Sequence, residues 1–252
     1  MPLKKNVFIQ IEKFNWKNFA LANEISKKVG NGLYILLINI QEEDRAYIEE
    51  RISGFQFQYF ESYDEARAFL NEFNPDIIFL TQQKLNPFEH IFRLTDAEKF
   101  LKGLNEFNTV LLWEDSEKIE SILINIDLET FTENFLDLSY KFASRITDNF
   151  KFIYSFYESF YEYRLMKTHT SDEAKQLLNE MLEEHTNKIK SLLNKVVGED
   201  RYTLEIIKGD PKKEVPYYLR KNGYDMLIIN KSIEDKESYI ENTENSVGIF
   251  LD

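Results

Sequence analysis

The stretch NVFIQIEKF at residues 6–14 decides the fold, because SILINIDLE at residues 121–129 repeats its pattern. Aligned without a gap, the two stretches place apolar residues over apolar residues and the acidic Glu12 over Asp127. Short apolar runs of this kind are typical of buried β-strands. A repeated element indicates a second copy of one folding unit.

A second pair of stretches supports the repeat. NPDIIFL at residues 74–80 matches GYDMLIIN at residues 223–230, with Asp76 over Asp225. In both copies the acid directly precedes an apolar run, which suits a parallel strand covered by helices on both faces. The sequence therefore predicts two similar domains in tandem, at residues 1–115 and 116–252.

Strand-like and helix-like stretches alternate along both halves. The first half predicts strands at residues 7–11, 33–40, 55–60, 76–81 and 109–113, and helices at 15–29, 42–52, 62–73 and 95–107. The second half predicts strands at 122–127, 150–156, 202–207, 226–230 and 247–251, and helices at 132–147, 171–197 and 211–222. Ser62 with Glu65 and Thr95 with Glu98 have the spacing of capping boxes, which mark two of the helix starts.

Strands joined by helical crossovers of one hand form an open parallel sheet. The predicted fold class is therefore α/β, with two tandem Rossmann-like open parallel-sheet domains and a ligand crevice at the carboxyl ends of the strands. We expect the strands at 110–113 and 247–251 to pair within one molecule, because each would otherwise expose an edge. Such a chain would be a pseudo-dimer by itself, and a homo-oligomer is the other assembly we expect.

The second half resembles the universal stress protein family. The resemblance lies in ILINID at 122–127, in KGDP at 208–211, and in YDMLII at 224–229. It implies an adenine nucleotide alpha hydrolase-like fold, often found as tandem copies, in which an Asp at the end of the first strand contacts the adenosine part of the ligand. Asp127 matches that Asp and is the candidate cofactor-binding residue. Residues 1–113 resemble the family only in element order and in the two internal anchors.

The sequence departs from the family where phosphates would bind. Nucleotide-binding members carry glycines after the fourth strand, and these let backbone N–H groups approach the phosphates. Here KSIEDKESYIENTENSV at residues 231–247 has no glycine and carries five acidic residues. The corresponding stretch of the first half, TQQKLNPFEHIFRL at 81–94, has no glycine either. We therefore expect no family-type ATP binding and no cofactor.

Composition excludes several classes of function. The 252 residues include 31 Lys and Arg against 44 Asp and Glu, a net charge of −13, which disfavours binding to nucleic acids or anionic membranes. The absence of cysteine excludes disulfides and thiolate chemistry and fits a reducing compartment. Residues 1–16 lack the apolar core of a signal peptide, and no apolar stretch is long enough to span a membrane. We expect a cytoplasmic protein.

The sequence contains no recognisable catalytic motif. Its histidines are His90, His169 and His185, and their spacing matches no zinc motif. It has no nucleophile elbow, dinucleotide fingerprint or Walker A element. We therefore expect neither a metal site nor enzymatic activity, and we assign the histidines structural or surface roles.

Three features have two interpretations each. Asp127 either contacts a ligand or caps the following helix near residues 128–132. The aromatic residues within 150–163 either line an apolar ligand pocket or form a core strand followed by interfacial packing. The apolar stripe of the 171–197 helix belongs either to the core or to a partner groove.

The leading hypothesis is a universal stress protein-like regulatory protein that acts through contacts with a protein partner still unknown. An adenine-nucleotide switch using Asp127 is one alternative. A small-molecule sensor that uses the aromatic segment 154–163 is another. Fold alone does not choose among them.

Overall fold

A computed structural model describes residues 5–83, 95–102 and 107–252. The chain divides into two compact units. The first comprises the residues up to Ile119 together with Asn245–Ile249, and the second comprises Glu120–Glu244 together with Phe250–Asp252.

The first unit alternates strands and helices. Its elements are β1 (Lys5–Ile11), α1 (Trp16–Val29), β2 (Gly32–Ile38), α2 (Glu42–Ile52), β3 (Gln56–Phe60), α3 (Tyr63–Phe73), β4 (Ile77–Gln82), α4 (Asp96–Leu101) and β5 (Asn108–Trp113). The strands lie in the order β3-β2-β1-β4-β5, all parallel. Because β1 is central in this order, its apolar residues are buried, as is typical of a parallel strand covered on both faces.

Local sequence signals explain the ends of α1. The Asn15 side chain accepts a hydrogen bond from the Asn18 N–H at the helix start, and Gly30 ends the helix in the left-handed conformation. The buried face between these caps includes Leu21 and Ile25, one turn apart. The capping box predicted at Thr95 and Glu98 also forms, at the start of α4.

The last strand, β10 (Ser246–Phe250), pairs antiparallel with β5. Val247 lies opposite Leu111 and Ile249 opposite Thr109, so the pairing predicted within one molecule is confirmed. The fully buried Ser246 accepts a hydrogen bond from the Trp113 backbone N–H at 3.1 Å.

The second unit repeats the alternation. Its elements are β6 (Ile122–Ile126), α5 (Glu133–Ile146), β7 (Phe150–Phe156), α6 (Glu158–Leu165), α7 (Ser171–Val196), β8 (Leu204–Lys208), α8 (Pro211–Lys221), β9 (Met226–Asn230) and α9 (Lys236–Thr243). The strand order is β9-β6-β7-β8, again parallel. The predicted α/β class with open parallel sheets is confirmed.

Two short helices, α6 and α9, are absent from the sequence prediction. Helix α6 buries none of its residues and has no apolar stripe, so the periodic signal that predicts a helix is missing. The predicted strand at 33–40 ends earlier, at Ile38, because Asn39 adopts a positive φ of 55° that breaks the extended backbone.

Candidate functional site

The carboxyl ends of β6, β7 and β9 define the candidate site of the second unit. Ile126 lies opposite Tyr154 in the β6–β7 register, so the residue after Ile126 emerges at the level of the Tyr154 ring. That residue is Asp127, the candidate predicted from the family resemblance. In an open parallel sheet this edge is where ligands bind.

Asp127 closes the turn that follows its strand. One carboxylate oxygen, Oδ1, accepts hydrogen bonds from the Glu129 N–H at 2.9 Å, the Thr130 N–H at 3.1 Å and the Thr130 hydroxyl at 3.2 Å. The side chain that caps α5 is Thr132, through the Phe135 N–H. Asp127 therefore stabilises a separate turn ahead of the helix, and its Oδ1 is fully engaged there.

A buried tyrosine, Tyr154, and a half-buried histidine, His185, form a pair beside Asp127. The Tyr154 hydroxyl is 2.8 Å from His185 Nδ1, and the Tyr161 ring stacks on Phe156 at 5.2 Å between centroids. Burial raises the pKa of Tyr154, and the charges of Tyr161 and Asp127 raise it further. Burial lowers the pKa of His185 against the opposing charge of Glu184, and the weaker effect of Lys188 lowers the pKa as well. At neutral pH both groups are therefore uncharged.

The aromatic run of residues 150–163 divides between core and surface. Phe152, Tyr154 and Phe156 are buried in β7, as expected for a core strand. Tyr163 is 67% exposed and Phe160 is 43% exposed, both on α6. The stripe of α7 divides in the same way, since Leu178, Ile189 and Leu193 are buried whereas Met181 and His185 are half-buried.

Residues Gly209, Asp210 and Pro211 form the start of α8, and each has a residue type suited to its position. Gly209 has φ +124°, and a Cβ atom there would lie 2.7 Å from Glu214 Cγ, so both conformation and space demand glycine. The Asp210 carboxylate accepts a hydrogen bond from the Lys212 N–H at 3.1 Å, and Pro211 occupies the first turn.

Polar side chains at the carboxyl ends of the strands hold the side-chain carboxylate of Asp252. Asn230, 1% exposed, donates from Nδ2 to Asp252 Oδ1 at 2.5 Å. The Ser232 hydroxyl donates to Asp252 Oδ2 at 2.9 Å, and the Thr132 hydroxyl donates to Oδ1 at 3.4 Å. We call Thr132, Asn230 and Ser232 the carboxylate cradle. It places a negative charge at the carboxyl end of β9.

A second carboxylate engages the start of α8. Asp235 lies 2.9 Å from Lys212 Nζ and adopts a left-handed conformation with φ 57°, although it is not glycine. The hydrogen bond to Asp235 raises the pKa of Lys212, and the same bond lowers the pKa of Asp235. Lys212 is thus already paired with a carboxylate.

The corresponding edge of the first unit contains an open cavity of 460 Å³. Gln10 forms part of its wall, donating to the Thr81 hydroxyl at 3.3 Å and accepting from the Asn15 N–H at 2.8 Å. Glu12, the repeat counterpart of Asp127, has φ 60° and donates its backbone N–H to Ile38 O at 2.9 Å. The two acids therefore end equivalent strands in different backbone conformations.

The remaining histidines of the sequence are His90 and His169. His169 is exposed and contacts the Thr168 hydroxyl at 2.8 Å, whereas His90 and most of the stretch 81–94 lie outside the described residues. In the described part of the chain, no three His, Cys, Asp or Glu side chains form a group that could hold a metal ion. No helix among the described residues is long and apolar enough to cross a membrane.

Comparison with solved structures identifies the fold. A protein of unknown function from Pseudomonas aeruginosa PAO1 superposes with a TM-score of 0.71 at 14% identity, covering 99% of this chain and 93% of that one. A putative universal stress protein from P. aeruginosa UCBPP-PA14 gives 0.68 at 12% identity, over 99% and 94% of the two chains. A universal stress protein from Archaeoglobus fulgidus DSM 4304 gives 0.58 at 11% identity, over 97% and 98%.

No protein-family model matches the chain, and no curated protein matches it in sequence. The structural likeness extends over nearly the full length of all three solved chains. The class defined by the fold is thus a two-unit α/β protein of parallel sheets. Within that class, the resemblance to universal stress proteins is confirmed at the level of the fold.

Sequence reasoning missed the carboxylate cradle and the Tyr154–His185 pair. The cradle brings Thr132 to Asp252, 120 positions away, and no local spacing reveals it. Asn230 at the end of a buried strand and Ser232 shortly after it are the available signal, because polar side chains at that edge face the crevice.

Proposed function

We propose that this chain is a universal stress protein-like regulatory protein that acts through protein contacts and does not bind ATP in the manner of that family. The observation that carries the proposal is the Asp252 carboxylate held by Asn230 and Ser232 at the end of β9. A triphosphate placed there would meet a negative charge and would have to displace it from its hydrogen bonds.

Two further features support the same conclusion. Lys212 at the start of α8 is paired with Asp235 of the loop after β9, so a carboxylate of the chain already balances its charge. Asp127 Oδ1 is engaged by its own turn. The proposal also includes a cytoplasmic location and the absence of catalysis.

An exposed aromatic surface on and just after α6, which we call the α6 surface, supports action through protein contacts. Helix α6 and the residue after it expose Phe160, Tyr163 and Met166 by 43%, 67% and 54%. Arg164 and Lys167 make cation–π contacts with two of these rings. Arg164 Cζ lies 4.8 Å from the Phe160 centroid, and Lys167 Nζ lies 4.4 Å from the Tyr163 centroid. Exposed aromatic residues next to arginine are typical of protein interfaces.

The test is thermal unfolding in the presence of ATP, ADP, AMP or cyclic AMP, with and without magnesium. A ligand that binds only the folded protein raises the unfolding temperature, and saturation at 100 times Kd adds about 2.7 kcal/mol. We expect no shift up to millimolar nucleotide, and no phosphate release from ATP. A shift in the native chain that disappears in Asp127→Ala would instead establish the nucleotide switch.

The variant Asp252→Ala tests whether the Asp252 carboxylate prevents phosphate binding. If the carboxylate alone prevents phosphate binding, this variant gains a nucleotide-dependent shift that the native chain lacks. If neither chain responds, the absence of glycine in residues 231–247 is sufficient by itself to prevent nucleotide binding. The proposal of action through protein contacts then stands.

A further inference from the structure

A separate cavity of 370 Å³ lies in the second unit, between the turn 128–131 and the C-terminal half of α7. Its volume falls within the range of about 300–1,000 Å³ that is common for small-molecule sites. None of its lining residues belongs to the Tyr154–His185 pair or to the carboxylate cradle. We call it the α7 pocket.

The inner wall of the α7 pocket is apolar. Leu128 and Phe131 of the turn face Leu192 of α7, and all three side chains are half-buried. Apolar side chains at this level of burial retain surface that a ligand can remove from water, which favours binding. An apolar ligand body therefore fits this wall.

The rim of the α7 pocket is cationic. Lys188 and Lys195 both line it from α7, with Ser191 between them. Seven residues of helix rise about 10 Å and complete nearly two turns, so both lysines lie on one face. In a chain of net charge −13, two ammonium groups at one cavity are a local exception.

The two lysines differ in their partners. Lys195 forms an ion pair with Glu133, which also lines the pocket. Lys188 Nζ lies 5.8 Å from the Phe131 ring centroid, and within the described ranges it has no carboxylate at ion-pair distance. Because the charges of Lys195 and Glu133 cancel, the rim retains the single positive charge of Lys188. One positive charge matches a singly charged anion.

We propose that the α7 pocket binds small monocarboxylic acids with an apolar body. The carboxylate lies between Lys188 and Ser191, where it accepts hydrogen bonds from the ammonium group and the hydroxyl, and the hydrocarbon part contacts Leu128, Phe131 and Leu192. Because Glu133 competes for Lys195, it weakens this binding. The site is independent of the proposed function, since it uses neither Asp127 nor the α6 surface.

The experiment is isothermal titration with octanoate, with 1-octanol and octylamine as probes of the same length. We expect saturable binding of octanoate, and at least about tenfold weaker binding of octanol and octylammonium, because a charge-assisted hydrogen bond contributes more than a neutral one. If octanoate shows no saturable binding up to about 10 mM, the proposal is overturned. Equal binding of octanol overturns it as well.

Variants locate the site. Lys188→Met should weaken octanoate binding about tenfold, whereas Lys190→Met, an exposed lysine of α7 that does not line the pocket, should leave it unchanged. Glu133→Gln should strengthen binding, because it releases Lys195. Equal losses in Lys188→Met and Lys190→Met, or a weaker Glu133→Gln complex, would contradict the assignment.

A measurement on the native chain guards against misfolded variants. Magnetisation transfer from the octanoate protons should reach the Phe131 ring and the Leu128 methyl groups. Transfer only to the α6 aromatics would place octanoate at that surface and overturn the proposal.

Discussion

The Tyr154 hydroxyl lies 2.8 Å from His185 Nδ1 and joins the buried strand β7 to the middle of α7. Burial raises the pKa of the tyrosine and lowers the pKa of the histidine, so the neutral pair is the stable form. With the imidazole proton on Nε2, Nδ1 accepts the hydrogen bond that the hydroxyl donates. Protonation of Nδ1 removes that acceptor.

The pair predicts a pH dependence of stability. Because the pKa of His185 is lower in the folded than in the unfolded protein, the unfolded protein binds more protons as pH falls below about 6.5. This histidine's contribution is fully present above pH 6.5 and is lost as pH falls through the folded-state value. Urea unfolding between pH 7.5 and 5 should show this loss, and His185→Gln should reduce it. If the exposed His169→Gln flattens the profile equally, the assignment to His185 is wrong.

Removing the hydroxyl alone should also destabilise the second unit. Tyr154→Phe keeps the buried ring but leaves His185 Nδ1 without its donor, at a cost of about 0.5–1.5 kcal/mol. Urea denaturation at pH 7.5 measures this loss. Tyr140→Phe is the matched control, because that half-buried tyrosine contacts Phe150 through its ring and should tolerate loss of its hydroxyl. Equal losses in the two variants would assign no special role to the Tyr154 hydroxyl.

Asp225 should be important for the stability of the second unit. Its Oδ2 accepts hydrogen bonds from the Glu120 N–H at 2.8 Å, the Ser121 N–H at 3.0 Å and the Ser121 hydroxyl at 2.9 Å. Asp225→Ala should reduce the unfolding free energy by about 1–3 kcal/mol, because it removes the acceptor of all three donors. Asp225→Asn retains an acceptor oxygen and should lose less. Equal losses would mean that the hydrogen bonds contribute little.

Ser246 should be required where β10 pairs with β5. Ser246→Ala leaves the Trp113 N–H without its acceptor, which costs about 1–3 kcal/mol for a buried donor. Equilibrium denaturation of this variant beside Ser144→Ala, an exposed serine, measures the difference. A Ser246→Ala protein as stable as Ser144→Ala would show that the N–H finds another acceptor.

The α6 surface should affect association without affecting folding. Tyr163→Ser and Met166→Ser change exposed side chains, so the unfolding free energy should stay within about 0.5 kcal/mol. If this surface binds a protein, a second copy of the chain included, the double variant should lose that complex in light-scattering and pull-down measurements. Retention of every complex seen with the native chain would exclude the surface as the interface.

The sequence alone determined the class of fold and most element boundaries. The pairs Glu12 with Asp127 and Asp76 with Asp225 revealed the repeat, and β7 and α2 have the predicted bounds. The continuous apolar run of β7 is a local property of the sequence. Helix α6 escaped prediction because it has no buried face. Asp76 and Asp225 also show the limit of the repeat, since Asp76 accepts a side-chain bond from Asn31 whereas Asp225 binds the backbone of residues 120 and 121.

Only the tertiary structure decided what lies at the carboxyl ends of the strands. Asp252 reaches Thr132 across 120 positions, and His185 reaches Tyr154 across 31. No pattern along the chain encodes these partners, because they depend on which strands become neighbours and on how far each helix extends beyond the sheet. Local propensity fixed the strands and helices, whereas long-range packing fixed which of their polar side chains meet.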